Sequence, residues 1–195
     1  VNLASASLGA EVIYATDEFF ADKSRLIADS DPIFMEGKYS ENGKWMDGWE
    51  TCRKRGPGYD HCIVRLAFPG CILGIIVDTS HFTGNFPPFC SIDACPCRSG
   101  DPDESTEWVE VRSKADLKGN ASYRFRVESE EIFTHVRLNI YPDGGIARLR
   151  VYGKVFCNWD DRDPDATYDL AACHNGGRAV AWNDAHFGHP VNILG

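Results

Sequence analysis

The sequence lacks the features that mark several large classes of protein. No run of about 18 apolar residues occurs, so a membrane-spanning helix is not expected. The N-terminus has no basic segment followed by an apolar one, so no signal peptide is visible. Basic residues are outnumbered, with 20 Lys and Arg against 29 Asp and Glu. The resulting net charge of −9 argues against nucleic-acid and membrane-surface partners.

Familiar catalytic and cofactor-binding motifs are also missing. There is no GxSxG, no P-loop and no dinucleotide-binding glycine fingerprint. Cys95 and Cys97 do not have the C-x2-C spacing of a zinc-binding pair, and His186 with His189 lacks a third ligand at a defined spacing. The sequence therefore predicts no cofactor and no metal ligand. A divalent metal stays an open alternative for which no clear ligand set is visible.

Cysteine, in contrast, is abundant, with eight residues. An even number permits a disulfide framework, which would indicate a secreted, disulfide-stapled lectin. Several of the cysteines alternate with apolar neighbours, and free cysteine is by preference a small buried hydrophobe. We therefore interpret them mainly as structural thiols.

Short alternating segments separated by Gly and Pro turns dominate the chain, and long helical periodicity is absent. This pattern predicts an all-β fold, a jelly-roll or galactose-binding-like β-sandwich. In residues 134–153 two alternating runs flank Pro-Asp-Gly-Gly, which predicts a β-hairpin. The core positions predicted from this segment are Val136, Leu138, Ile140, Leu149 and Val151. The other face of the hairpin would place Arg137, Arg148 and Arg150 close together.

The two ends of the chain resemble each other at an offset of 167 positions. The identities pair Leu3 with Leu170, Ala4 with Ala171, Gly9 with Gly176, Asp17 with Asp184 and Phe20 with Phe187. A self-match at a fixed period is a signature of duplicated units. We therefore expect one complete unit over residues 1–153, an acidic linker over 154–167 and the beginning of a second, truncated unit over 168–195.

The segment "VDTSHFTGNFPP", residues 77–88, is the most suggestive for chemistry. A buried strand is predicted to end at Asp78, and polar groups held at strand ends commonly build a site. His81 could transfer protons near neutral pH, Asp78 could orient it or act as a base, and Asn85 could bind a carbonyl or urea group. The alternative is a structural turn in which Asp and Asn bond to the local backbone.

Two further sets of residues are candidates for the site. The segment "MDGWETCRKRGPGYDHC" supplies Glu50 and Asp60 as second-choice acid/base groups, although solvated charges on a surface turn would look the same. Arg137 and Arg148 could hold a carboxylate through bidentate hydrogen bonds. Their alternative interpretation is the polar outer face that antiparallel sheets commonly have.

Five long segments of the sequence resemble the allantoicase family. They are "VIYATDEFFADKSRLI", "DGWETCRKRGPGYDHCIVRL", "GIIVDTSHFTGNFPP", "VRLNIYPDGGIARLRVYG" and "WNDAHFGHPVNIL". The segments follow the family's order from residue 1 to the C-terminus. The chain departs from the family pattern at Cys52 and His61, where a basic residue and an aromatic are expected. Those two residues are therefore poor catalytic candidates.

This resemblance implies repeated jelly-roll domains and the hydrolysis of allantoate to ureidoglycolate and urea in purine breakdown. The implied partner is the small molecule allantoate, and a homo-oligomer and an intracellular location, cytoplasmic or peroxisomal, are expected. The resemblance assigns no catalytic residues, so the assignment rests on the residues themselves. Proton transfer is assigned to His81, Asp78, Glu50 and Asp60, and substrate binding to Asn85, Arg137 and Arg148. The alternative function is a non-catalytic binding module derived from such a repeat, and the incomplete second unit could leave this chain inactive alone.

Overall fold

The structure, a computed structural model, describes residues 1–97, 100–186, 188 and 193–194. Its strands are β1 (Glu11–Ala15), β2 (Tyr39–Ser40), β3 (Gly43–Lys44), β4 (Trp49–Glu50), β5 (Asp60–Asp78), β6 (Phe89–Cys95), β7 (Val109–Asp116), β8 (Ser122–Arg126), β9 (Ile132–Tyr141), β10 (Gly145–Ile146) and β11 (Arg148–Val155). The helical segments of the described residues are short 3₁₀ turns at Ala6–Leu8, Lys23–Ile27, Trp159–Asp161 and Cys173–Asn175.

Strand β5 organises the fold because its 19 residues serve both sheets. Its first half, residues 60–65, lies between β1 and β9, and its second half, residues 70–78, lies between β8 and β11. Strands β6 and β7 extend the first sheet beyond β9, and all of these pairs are antiparallel. A five-stranded sheet therefore packs against a three-stranded one, which confirms the predicted jelly-roll β-sandwich.

The core lies between the two sheets, where the alternation of β9 and β11 turns apolar side chains inward. The five residues predicted for it are fully buried, and this prediction is confirmed: Val136, Leu138, Ile140, Leu149 and Val151. Side chains on successive strand residues point to opposite faces, so the same alternation sends the intervening polar residues to the outer faces of the sheets, where other side chains and loops still bury Asn139 and Arg148. The period-2 pattern was therefore a sufficient guide to the core.

Replacing Leu138 with Ala should lower the free energy of unfolding by about 2–5 kcal/mol, the usual cost of truncating a core leucine. Leu138 is fully buried in β9 and lies opposite Cys62 of β5 and Ile92 of β6. Chemical denaturation would measure the loss, with Leu73→Ala as the control because Leu73 is half exposed on β5. Equal losses in the two variants would contradict the assigned core.

The predicted hairpin between β9 and β11 is wrong. Strand β9 pairs with β5 and β6 in the five-stranded sheet, whereas β11 pairs with the second half of β5 in the other sheet. Between them, β10 leaves both sheets and pairs with β4. The two alternating runs bury their apolar faces in the same core from opposite sides. The sequence pattern is therefore the same whether the two strands pair in a hairpin or lie in facing sheets.

The turn near the N-terminus recurs near the C-terminus. Four backbone hydrogen bonds that close the turn at Ala6–Leu8 are repeated, 167 positions later, at Cys173–Asn175. Both turns end at a glycine with positive φ, 100° at Gly9 and 89° at Gly176. The self-match of the sequence therefore reflects shared local structure.

The boundaries of the expected units are not settled by these turns. Strand β11 continues to Val155, two residues beyond the expected end of the first unit. Cys173 is buried, and the rings of Phe68 and His174 lie 6.4 Å apart, so the C-terminal segment contacts the sandwich. Phe187, which the self-match pairs with Phe20, lies outside the described residues. The division at 153, 154–167 and 168–195 stays a prediction.

All eight cysteines belong to the described residues, and none of them forms a disulfide. Cys62, Cys90, Cys95 and Cys173 are buried, and burial raises the pKa of the Cys90 thiol to about 12. These thiols behave as the small apolar side chains that the sequence predicts. Within the described part of the chain, no helix has the length and apolar character needed to cross a bilayer.

Candidate functional site

Loops at one end of the sandwich enclose two adjoining cavities, which we call the main chamber and the side chamber. The main chamber has a volume of about 470 Å³ and the side chamber about 340 Å³. Both chambers are lined by Phe20, Glu50, Gly84 and Asn85. The main chamber adds Thr51, Arg53, Lys54 and Asp143, and the side chamber adds Lys44, Met46, His81 and Thr83. Glu50 and Asn85 thus stand at the junction of the two.

The backbone around Glu50 is fixed from both sides. Within β4, Glu50 pairs with Gly145 of β10, and on its other side it exchanges backbone hydrogen bonds with Ala21. The next residue, Thr51, donates its backbone N–H to Gly144 O and accepts from Gly144 N through its hydroxyl. Such a frame holds the Glu50 side chain in one place, which a catalytic group requires.

The Glu50 side chain lines both chambers, yet the residue is buried, with only 8% of it exposed. Asn85 Nδ2 donates a hydrogen bond to Glu50 Oε1 at 2.5 Å. Burial raises the pKa of Glu50, because the charged form loses hydration, and the hydrogen bond from Asn85 opposes part of this rise. A carboxyl group with a raised pKa can exchange protons nearer to neutral pH.

Asn85 is positioned by the loop that follows β5. Its carbonyl accepts the backbone N–H of Gly145 at 2.7 Å. Gly144, at φ 137°, makes this close approach possible: a Cβ there would lie 2.8 Å from Asn85 O and 2.6 Å from Pro87 N. The "PDGG" turn therefore joins the Asn85 loop to the Glu50 strand.

Replacing Gly144 with Ala should destabilise the fold by about 1–3 kcal/mol through backbone strain, and should separate Asn85 from Glu50. Gly58→Ala is the matched control, since Gly58 also has positive φ, 110°, but has open space around it. Thermal unfolding of both variants isolates the effect of the clash with the Asn85 loop. If the two variants lose the same stability, the close approach of Gly144 to the Asn85 loop does not contribute to the stability of the fold.

The main chamber has a cationic side. Arg53 and Lys54 line it, and the backbone N–H of Lys54 is held by Asp143 Oδ2 at 2.7 Å. Lys54 Nζ lies 2.9 Å from Asp60 Oδ1, and this hydrogen bond raises the pKa of Lys54. Lys54 is therefore held both in position and in its charged form, as the binding of an anion requires.

Asp60 lies beneath this lysine and not in the chambers. Only 1% of Asp60 is exposed, and its carboxylate also accepts a hydrogen bond from the Thr16 hydroxyl at 2.8 Å. The side chain lines neither chamber. The structure thus gives Asp60 a supporting position, instead of the direct acid/base position that the sequence suggested.

His81 lines the side chamber, but its ring is tied to a neighbouring loop. The residue has φ 69°, and its backbone N–H donates to Asn120 Oδ1 at 2.9 Å. Its Nε2 lies 3.1 Å from Pro32 O, so Nε2–H is the donor and Nδ1 of a neutral ring is left as an acceptor. The ring also lies against Phe34. His81 is in the site, although one ring nitrogen has a structural partner.

Asp78 does not reach the chambers. It is the last residue of β5, and its Oδ1 accepts the backbone N–H of Ser80 at 2.7 Å. This is the local turn contact that was the alternative interpretation for the segment. The structure does not bring Asp78 together with Glu50 and Asn85.

The expected arginine pair is not formed, because β9 and β11 lie in different sheets. Arg148 is 2% exposed because the loop segments around residues 25–30 and 47 cover it, and its guanidinium donates to Asp47 Oδ2 at 2.8 Å and to the carbonyls of Ser30, Arg25, Asp47 and Ala147. Arg137 pairs with Asp93 at 2.7 Å and lies over the Trp108 ring. Neither lines the chambers, so the cations of the main chamber are Arg53 and Lys54, and the side chamber has Lys44.

A cavity beside the N-terminal residues is less suited to proton transfer. This cavity, of about 520 Å³, lies beside Arg150, Tyr152 and Trp182, and the carboxyl group that lines it belongs to Asp29. Burial acts to raise the pKa of Asp29, but hydrogen bonds from Ser5 and Ser7 outweigh it and the pKa is lowered. Asp29 is thus poorly suited to proton transfer near neutral pH.

Among the residues that the structure describes, no three His, Cys, Asp or Glu side chains converge closely enough to hold an ion. His189 of the pair named above lies outside those residues. The absence of a cofactor stays a prediction.

A family model for the allantoicase repeat matches residues 1–156. The chain belongs to the allantoicase family. It is 57% identical over 195 residues to a probable allantoicase of Photobacterium profundum, covering 100% of this chain and 59% of that relative. The crystal structure of Saccharomyces cerevisiae allantoicase matches with a TM-score of 0.83 at 35% identity, covering 100% of this chain and 58% of that one. The chain thus spans about three fifths of the length of these allantoicases.

A more distant match concerns the fold alone. The family 32 carbohydrate-binding module of Clostridium perfringens NanJ superposes with a TM-score of 0.52 at 15% identity, covering 77% of this chain and 97% of that one. Allantoicase repeats therefore share the jelly-roll architecture of such modules. At this level of identity the match carries no information on ligands.

Proposed function

We propose that this protein hydrolyses allantoate to ureidoglycolate and urea, a step of purine breakdown, and that the main and side chambers form its active site. Membership of the allantoicase family supports the reaction. The site is supported by one observation above all, the buried Glu50 carboxyl group with its raised pKa, held by Asn85 at the junction of two open chambers.

The substrate carries one carboxylate and two ureido groups on a single carbon. Its carboxylate binds beside Arg53 and Lys54, where a charged lysine is already fixed by Asp60. Charge-assisted hydrogen bonds of this kind are about twice as strong as neutral ones. The carbon that bears the ureido groups then lies beside Glu50 and Asn85.

A single proton-transfer group is sufficient for the release of urea. Ionised Glu50 takes the N–H proton of the retained ureido group, the electron pair forms a C=N bond, and the C–N bond to the other ureido group breaks. Glu50 returns the same proton to the departing nitrogen, which leaves as urea. Water then adds to the C=N carbon while Glu50 moves a proton from the water to the imine nitrogen, and ureidoglycolate results.

The pH dependence of Asn85→Ala tests this assignment. The hydrogen bond from Asn85 lowers the pKa of Glu50, so its loss raises that pKa further. Because the first step needs ionised Glu50, the acidic limb of the kcat/KM profile for urea release should move to higher pH. Asn42→Ala is the control, since Asn42 is exposed and bonds to Phe19 O. An acidic limb that stays in place or moves to lower pH would contradict the role of Glu50.

The remaining expectations about the whole protein are also proposals. We infer a homo-oligomer that acts inside the cell, in the cytoplasm or the peroxisome. Eight cysteines that form no disulfide support an intracellular location, because oxidising compartments favour disulfides. Sedimentation of the purified protein would test the oligomeric state, and fractionation of cells would test the compartment.

A further inference from the structure

Allantoate presents two chemically identical ureido groups, yet only one is released as urea. An active site must therefore treat the two differently. The two chambers can bind the two groups differently because their linings differ. Arg53 and Lys54 line only the main chamber, whereas Met46, His81 and Thr83 line only the side chamber. Building on the function proposed above, we propose that the side chamber is a urea subsite, which receives the departing ureido group and binds free urea.

The polar groups of the side chamber suit a neutral ureido group. A ureido group has N–H donors and one carbonyl acceptor. The Glu50 carboxylate and Nδ1 of the His81 ring are placed to accept N–H donors, and the Thr83 hydroxyl, the Asn85 amide and the Lys44 side chain can donate to the carbonyl. The Phe20 ring and the Met46 side chain supply apolar surface for the flat faces of the group.

The sizes of the chambers agree with this division. The main chamber, at about 470 Å³, takes the larger part of the substrate, which is the carboxylate and the retained ureido group. The side chamber, at about 340 Å³, takes the smaller part. Glu50 and Asn85 line both, so the group that carries the proton lies beside the bond that breaks. Urea can then leave without displacing the rest of the substrate.

Two small probes separate the chambers in binding experiments that need no turnover. Urea, at concentrations well below those that unfold the protein, reports on the side chamber. N-carbamoylglycine, which carries one carboxylate and one ureido group, reports on the main chamber. We expect both to bind at once, so that saturating N-carbamoylglycine changes the dissociation constant of urea by no more than about twofold, well below the tenfold change that 1.4 kcal/mol of coupling would give. NMR titration of the protein measures both constants.

Two exposed residues provide matched variants that should keep the fold. Thr83→Val keeps the shape but removes the hydroxyl, and should weaken urea binding by about 3- to 10-fold, the worth of one hydrogen bond. It should leave N-carbamoylglycine binding unchanged. Arg53→Met should weaken the binding of N-carbamoylglycine and leave the binding of urea unchanged. Melting temperatures close to that of the unchanged protein would verify folding.

Mutual exclusion of the two probes would overturn the urea subsite, as would equal weakening of both probes by Thr83→Val or a lack of any urea binding. The function proposed above fails separately, if allantoate yields no urea under any condition. In that case simultaneous binding of the two probes would still support two distinct subsites.

Discussion

Replacing Glu50 with Gln should lower the rate of urea release from allantoate by about 10²- to 10⁴-fold, the usual contribution of a general acid or base. Glutamine has nearly the same shape and can still accept the hydrogen bond from Asn85, but it cannot take up a proton. Steady-state assays of urea would show the loss in kcat more than in KM, because the substrate contacts of Arg53 and Lys54 remain.

Stability separates this catalytic effect from damage to the fold. A carboxyl group whose pKa is raised on folding favours the folded state at low pH, and this contribution is lost as the pH rises through the folded-state pKa. Glutamine is not subject to that loss, so Glu50→Gln should be at least as stable as the unchanged protein near neutral pH. Glu18→Gln is the control, an exposed carboxylate that pairs with Lys23 at 2.9 Å. If Glu50→Gln keeps its rate within about threefold, far less than a typical acid/base contribution, Glu50 is not the proton-transfer group.

Replacing Arg148 with Met should lower the free energy of unfolding by about 3–5 kcal/mol, the usual cost of removing one partner of a buried ion pair. The substitution removes the cation from the partly buried Asp47 carboxylate, which keeps only its bond from the Ile33 backbone N–H among the hydrogen bonds described, and removes the donor of several backbone carbonyls. Denaturant unfolding would measure the loss. A large fall in activity with unchanged stability would restore Arg148 as a substrate-binding residue.

Arg126→Met is the control for that experiment. Arg126 lies on the surface, with 83% of its side chain exposed, and its ion pair with Glu128 is equally exposed. Exposed pairs contribute about 0–1 kcal/mol, so the control should lose little stability. A comparable loss in both variants would show that the buried hydrogen bonds of Arg148 contribute no more to stability than an exposed ion pair does.

The fold could be predicted from the sequence as far as local alternation determines it. Leu138 and Leu149 were assigned to the core correctly because each strand shows only one apolar face. Alternation does not show which strands pair with each other. A turn such as "PDGG" fits a hairpin, and the sequence does not show that Gly145 and Ile146 bond instead to Trp49 and Glu50.

The candidate site was predicted in part for a related reason. His81 and Asn85 were named because they follow a predicted strand, and Glu50 was a second choice from a segment rich in charged residues. The structure places all three at the chambers. The sequence could not show that Asp78 would bond to its own turn or that Asp60 would be buried beneath Lys54. No role was assigned to Arg53 or Lys54, although the run of basic residues that follows "WETC" was the available signal.

The most direct test of the proposed active site is a crystal structure of the Glu50→Gln protein with allantoate. The substrate should lie across both chambers, with its carboxylate beside Arg53 and Lys54 and one ureido group in the side chamber near Thr83 and Asn85. Allantoate bound at another surface of the sandwich, with these chambers left empty of it, would contradict the assignment of the active site to Glu50 and its surroundings.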